Sequence, residues 1–178
     1  LALLTQSGAN ENKAAARLAS SAVVFLESLD EPRKAKLALP FDAQSRTDWH
    51  FFPKERKGLA LRELDKKQTK LLWKFLEAAL SESGIEKAKG VIISERLLWE
   101  QSKRADYRDP GKYNIVFFGA PTPEQSWGAS FEGHHLSINL TLVDGKDVYV
   151  TPSFFGASPD RDKKGWHPLE EEIVSALA

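Results

Sequence analysis

Two adjacent imidazoles, a carboxylate and a hydroxyl fall together in Glu132-Gly133-His134-His135-Leu136-Ser137. Neutral imidazole is a common ligand for Zn, Cu, Ni or Fe, and Glu132 would complete a mixed nitrogen and oxygen donor set for a divalent transition metal. An ion held there would acidify a bound water or carry electrons, giving hydrolytic or redox chemistry. On this reading His134, His135 and the more distant His50 are metal ligands, while Glu132, His135 and Asp109 are candidates for proton transfer. One condition attaches. Successive strand residues point to opposite faces, so the two histidines share one ion only if a bulge or turn at Gly133 precedes the strand. The plain alternative is that one histidine caps a loop and the other hydrogen-bonds within a hairpin.

Other residues offer a second kind of chemistry. Ser137, Asn139 and Thr141 alternate with leucine and isoleucine, forming a ladder of hydroxyls and an amide on one strand face. With the aromatics Trp49 and Trp127 and the cation Arg108, they would hold a small polar ligand such as a sugar; a solvated strand face accounts for the ladder equally well. Arg108-Asp109-Pro110 reads as an anion clamp with a carboxylate base, or as a salt-bridged turn. His50 and His167 each follow a tryptophan and are otherwise surface residues beside packing aromatics. Residues 54–74 carry eight basic against three acidic side chains, which describes a lysine-rich solvated helix face more simply than a nucleic-acid surface. Ser126 and Ser130 lack the Gly-x-Ser-x-Gly elbow of a serine hydrolase.

Amphipathic helices must position these groups. Ala14, Leu18, Ala22, Phe25, Leu26 and Leu29 recur at helical spacing, predicting a first helix over about 10–29. Asp30-Glu31-Pro32 starts a second, which stops before Pro40. Residues 41–58 are rich in turn formers and aromatics and read as an ordered loop with one short strand. Asp65 and Gln68 form a capping-box spacing ahead of a helix over about 66–83, with Gly84 beyond its end. A fourth helix runs to about Gln101, and Ser102 to Lys112 reads as a charged loop.

Strand formers then take over. Tyr113 to Phe118 is a buried strand, followed by a Pro/Gly-rich connection to Gly133 and a strand over 135–142. Face parity requires an odd turn into Val148-Tyr149-Val150; with Val143-Asp144-Gly145 as the loop, Leu140 meets Val148. Pro168 and Glu170 to Glu172 open a closing helix. The expected fold is α+β, with N-terminal helices packed on a small antiparallel sheet around a C-terminal hairpin.

The chain has 178 residues, 42% of them hydrophobic and 28% charged, with zero formal net charge. One domain spanning 1–178 is expected, burying about two-thirds of its unfolded surface. Zero charge supplies no field for nucleic acid or anionic membrane. The absence of cysteine excludes disulfides and thiolate metal sites. No run approaches the roughly 18 apolar residues of a membrane helix. Leu1-Ala2-Leu3-Leu4 reads as the stub of a signal peptide or as an ordinary helix start.

Several pieces resemble a bacterial family, that of domain of unknown function thirty-five hundred. They are Phe25 to Asp30, Arg46-Thr47-Asp48-Trp49-His50, Gly58 to Leu61, Leu80-Ser81, Arg108-Asp109-Pro110, Phe118-Gly119, Trp127-Gly128, Glu132 to Ser137 and Thr151 to Gly156. The Glu-Gly-His-His-Leu-Ser core is the most specific. The resemblance implies a periplasmic or extracellular protein and relatives that continue into a further histidine-bearing half, of which this chain would be the N-terminal part. The expected functions are a histidine-based metal-binding domain or a non-enzymatic exported domain binding a small polar ligand.

Overall fold

Helices come first in the chain and the sheet after them, giving the α+β order expected from the change in composition. The computed structural model describes residues 2–158; the closing helix expected from Pro168, and His167, lie outside them. Helix α1 (Ala2–Glu27) reaches further back than its apolar stripe and buries Ala15, Leu18, Ala19, Ala22 and Phe25. Asp30 caps α2 (Glu31–Leu37), its carboxylate accepting from the Arg33 N–H at 3.0 Å. The capping box of α3 (Lys66–Ala79) forms as expected, with reciprocal Asp65 and Gln68 bonds of 2.8 and 3.0 Å. Helix α3 ends earlier than its pattern suggests because Ser81 already caps α4 (Glu82–Gln101) by accepting from Gly84 N–H. Gly84 therefore opens a helix rather than closing one.

Seven strands form one sheet: β1 (Ala38–Leu39), β2 (Leu59–Ala60), β3 (Asn114–Phe118), β4 (Trp127–Gly133), β5 (Leu136–Val143), β6 (Asp147–Tyr149) and β7 (Ser153–Phe155). Their order is β1-β3-β4-β5-β6, with β2 sharing the outer edge of β3 and β7 that of β5. All pairings are antiparallel except β1 with β3, so the sheet is mixed and larger than the small antiparallel one expected. The chief correction is β4. The segment up to Gly133 reads as a connection because of its glycines and prolines, yet residues 127–133 are buried throughout and form the sheet's centre. Residues 41–58 contain a 3₁₀ turn at Gln44–Arg46 and no strand; β2 begins just after them.

The last hairpin has the expected odd turn, displaced by one residue. Leu142 faces Val148 and Val143 faces Asp147, leaving Asp144-Gly145-Lys146 as the loop. Parity is preserved, so the leucine face stays dry.

Ile115, Phe117, Trp127, Ala129, Phe131, Leu136, Ile138, Leu140 and Leu142 project from one face into the helices. Phe117 lies at its centre, 6.2 Å from Phe25, 5.1 Å from Phe75 and 6.1 Å from Trp127 between ring centroids. The opposite face bears Asn114, Ser130, Glu132, Ser137, Asn139 and Thr141, and it is covered rather than solvated. Ser137 is wholly buried. Arg46 donates to Thr141 Oγ1 at 3.0 Å, and Arg56 Nη2 donates to Gly133 O at 3.1 Å, tying the 41–58 segment down over this face.

Candidate metal centre

The histidines stand at a tight turn. Gly133 pairs with Leu136 across β4 and β5, so His134 and His135 are the two residues between them. This meets the condition that strand alternation imposes. The turn places their rings face to face, 3.9 Å between centroids and 24° from parallel.

Every side of this turn is tethered. His135 has a left-handed backbone with φ of 63°, unusual for a residue with a side chain. Its N–H donates to Phe51 O at 2.6 Å, and its carbonyl accepts from Gly156 N–H at 2.8 Å. Tyr113 donates its hydroxyl to His134 O at 2.8 Å.

The carboxylate that meets the histidines is Glu95, from α4. It lies on the buried stripe of that helix with Ile85, Ala88 and Ile92, and is 1% exposed. His134 Nδ1 is 2.8 Å from Glu95 Oε1, and His135 Nδ1 is 3.4 Å from Oε2. An ionised carboxylate only accepts, so the His134 Nδ1 must carry the hydrogen. Arg108 Nη1 also donates to Oε1, at 3.2 Å, whereas Oε2 is buried without a hydrogen bond of good geometry. Burial raises the Glu95 pKa, but the two histidines and Arg108 outweigh it and hold the carboxyl at about 2. Glu95, His134 and His135 offer ligand atoms within 4.8 Å of one another.

Of the other expected site residues, Arg108 joins the cluster and Asp109 lines the cleft beside His134, while the rest fall elsewhere. Glu132 is not in this group: it lies on the polar sheet face, its Oε1 accepting from Ser137 Oγ at 2.8 Å. Asn139 Nδ2 in turn donates to Ser137 Oγ at 3.0 Å and to Pro152 O at 2.9 Å. His50 pairs with Asp48, Nε2 to Oδ1 at 2.7 Å, rather than with the histidine turn. Asp109 accepts from Arg62 Nη1 at 2.8 Å and from Gly111 N–H, as a salt-bridged turn would. Its neighbour Arg108 is the one drawn to the cluster. Trp127 is wholly buried, donating its indole N–H to Thr122 O at 2.9 Å. Trp49 packs against Phe51, with centroids 6.5 Å apart.

Sequence reasoning overlooked Glu95. The signal available was its place three residues beyond Ile92 on an apolar stripe, where a carboxylate is expensive unless partnered.

A cleft of about 200 Å³ opens beside His134, walled by Lys54, Arg56, Tyr107 and Lys112. The arrangement thus combines two imidazoles, one dry carboxylate and an approach for small molecules. Among the described residues no helix is long and apolar enough to cross a membrane. Searches of curated proteins and of solved structures return no match. The family model described as Protein of unknown function (DUF3500) matches residues 11–178, nearly the whole chain, and the protein belongs to that family.

Proposed function

We propose that the protein binds a divalent transition metal through His134, His135 and Glu95, and that the ion works on a small molecule entering past His134. The observation that carries this reading is the Glu95 carboxylate, buried and ionised, with one oxygen short of a hydrogen bond and two imidazole nitrogens beside it. Tetrahedral ligands at about 2.0–2.1 Å from zinc stand roughly 3.3 Å apart. The 3.4 Å from His135 Nδ1 to Glu95 Oε2 matches that edge, and His134 Nδ1, now 2.8 Å from Oε1, would exchange that hydrogen bond for the ion. Each ring would then carry its hydrogen on Nε2.

Arg108 opposes cation binding by its charge. It engages Oε1, leaving Oε2 as the ligand oxygen, and helps keep the carboxylate ionised. Three protein ligands leave positions for water or substrate. A bound divalent ion would supply a water acidic enough for hydrolysis, while two histidines with one carboxylate would also suit an iron oxygenase site.

Elemental analysis of untagged protein, followed by titration with Zn, Cu, Ni, Mn and Fe(II), tests the proposal. About one equivalent is expected in the wild type, with affinity falling about tenfold or more in His134→Ala, His135→Ala and Glu95→Gln. No uptake of any of the five metals by the folded wild type would overturn it.

A further inference from the structure

The 41–58 segment does not merely cover the polar sheet face; together they wall a half-open cavity of about 250 Å³. It is smaller than the roughly 300–1,000 Å³ typical of drug-sized ligands. Asn114, Val116 and Phe118 of β3, Ser130 and Glu132 of β4, and Arg56 from the covering segment line it.

Two of these groups are costly to bury. The side chains of Arg56 and Glu132 are only 8% and 10% exposed, yet Nε and Oε2 stand 3.7 Å apart, beyond hydrogen-bond distance. Arg56 Nε is buried without a hydrogen-bond partner. The remainder of each group is already committed. Arg56 Nη2 serves the carbonyls of His50, Phe52 and Gly133, and Glu132 Oε1 is held by the Ser137 and Asn139 chain. Glu132 also takes a backbone hydrogen bond from His50, so the unspent donor is Arg56 Nε, on a head fixed in place in the cavity wall, which is the condition of a site built for a ligand.

The lining also indicates what that is. Lys54, Arg56 and Lys57 are matched by Asp48, Glu55 and Glu132, so the cavity attracts neither anions nor cations by net charge. Donors and acceptors share the lining with the apolar side chains of Val116 and Phe118. A hydroxyl on Ser130 can do either job. A ring bearing several hydroxyls and an apolar C–H face meets these requirements together; a phosphate or a hydrocarbon meets only some.

We propose that the cavity between the 41–58 segment and the β3–β4 face is a binding site for a neutral polyhydroxylated ring of monosaccharide size, anchored by Arg56, Glu132 and Ser130. This site uses none of the three proposed metal ligands, although Lys54, Glu55 and Arg56 stand between it and the cleft beside His134.

Calorimetric and ligand-observed NMR titrations of the full chain with D-glucose, D-galactose, D-mannose and myo-inositol, with phosphate and citrate as anionic controls, test it. Saturable binding of at least one neutral ring at a single site is expected. Ser130→Val and Glu132→Gln should each weaken it about tenfold, one hydrogen bond's worth, without unfolding the protein. Should Glu132→Gln not fold, Ser130→Val carries the test. His134→Ala should bind within about twofold of wild type, whether or not the protein takes up metal. The proposal falls if no neutral ring binds, if phosphate or citrate binds instead, or if Ser130→Val is without effect. It also falls if His134→Ala or removal of metal abolishes binding, which would assign the ligand to the metal cleft.

Discussion

The ring of Tyr113 fills the space that a side chain at position 133 would need: a Cβ on Gly133 would fall 2.2 Å from Tyr113 Cδ1. The same tyrosine bonds the carbonyl of the next residue, His134, so one ring both excludes a side chain before the turn and holds the turn in place. Gly133→Ala is expected to destabilise the protein by about 1–3 kcal/mol through overpacking and to weaken metal uptake. Tyr113→Phe keeps the ring and loses one bond, costing about 1 kcal/mol. Urea denaturation of both variants measures the difference.

Glu95 gives the protein a specific acid sensitivity. Its folded pKa of about 2 lies below the ordinary 4.5, so the native state favours the ionised form. The resulting stability is complete above pH 4.5 and is lost as pH falls towards 2. The shift corresponds to on the order of 3 kcal/mol. Glu95→Gln should be less stable than wild type near neutrality, with the gap closing as the solution is acidified. Urea midpoints measured across that range check it.

The left-handed backbone at His135 separates turn from ligand. Asparagine tolerates this conformation better than most residues, so His135→Asn should preserve the turn, changing stability by less than about 1 kcal/mol. Metal affinity should nevertheless fall about tenfold or more. Equal metal uptake by wild type and variant would remove His135 from the ligand set.

Ser137 supports Glu132 from a wholly buried position. Removing its hydroxyl in Ser137→Ala leaves Oε1 without that donor, at a cost of about 1–3 kcal/mol. Burial already raises the Glu132 pKa, with Ser137 and Arg56 opposing it. A carboxyl raised in the folded state costs stability increasingly as pH climbs from its ordinary value through its folded one, and the penalty is relieved by acid. Ser137→Ala should therefore gain more than wild type does from mild acidification, as read from melting temperature against pH.

Much of the frame could be read from residue order because local rules and packing agree. The Asp65–Gln68 capping box, the apolar stripe of α1 and the parity of the β5–β6 hairpin all follow from short-range periodicity. Strand β4 was obscured by Gly128 and Gly133, although Trp127, Ala129 and Phe131 do alternate with Gly128, Ser130 and Glu132. Its glycines are there for close approach. The polar ladder on β5 was correctly placed on one face, but nothing local foretells that a segment some ninety residues earlier folds over it, as the Arg46–Thr141 bond shows. For the site, the histidines were evident and the turn was a stated condition. Glu95 was not found, since one carboxylate among several on a helix becomes distinctive only when its neighbours in space are known.

Arg56 reaches in two directions. Its guanidinium gathers the carbonyls of His50 and Phe52 in the covering segment and of Gly133 at the root of the histidine turn. Together with the His135 N–H to Phe51 O bond, this fastens the cover to the turn at two points. A movement that lifts residues 50–56 from the sheet must break both of these bonds, while Tyr113 and Gly156 still hold the turn from its other side. In thermodynamic language, any preference that an occupant of one chamber exerted on the other through this side chain would be returned in equal measure.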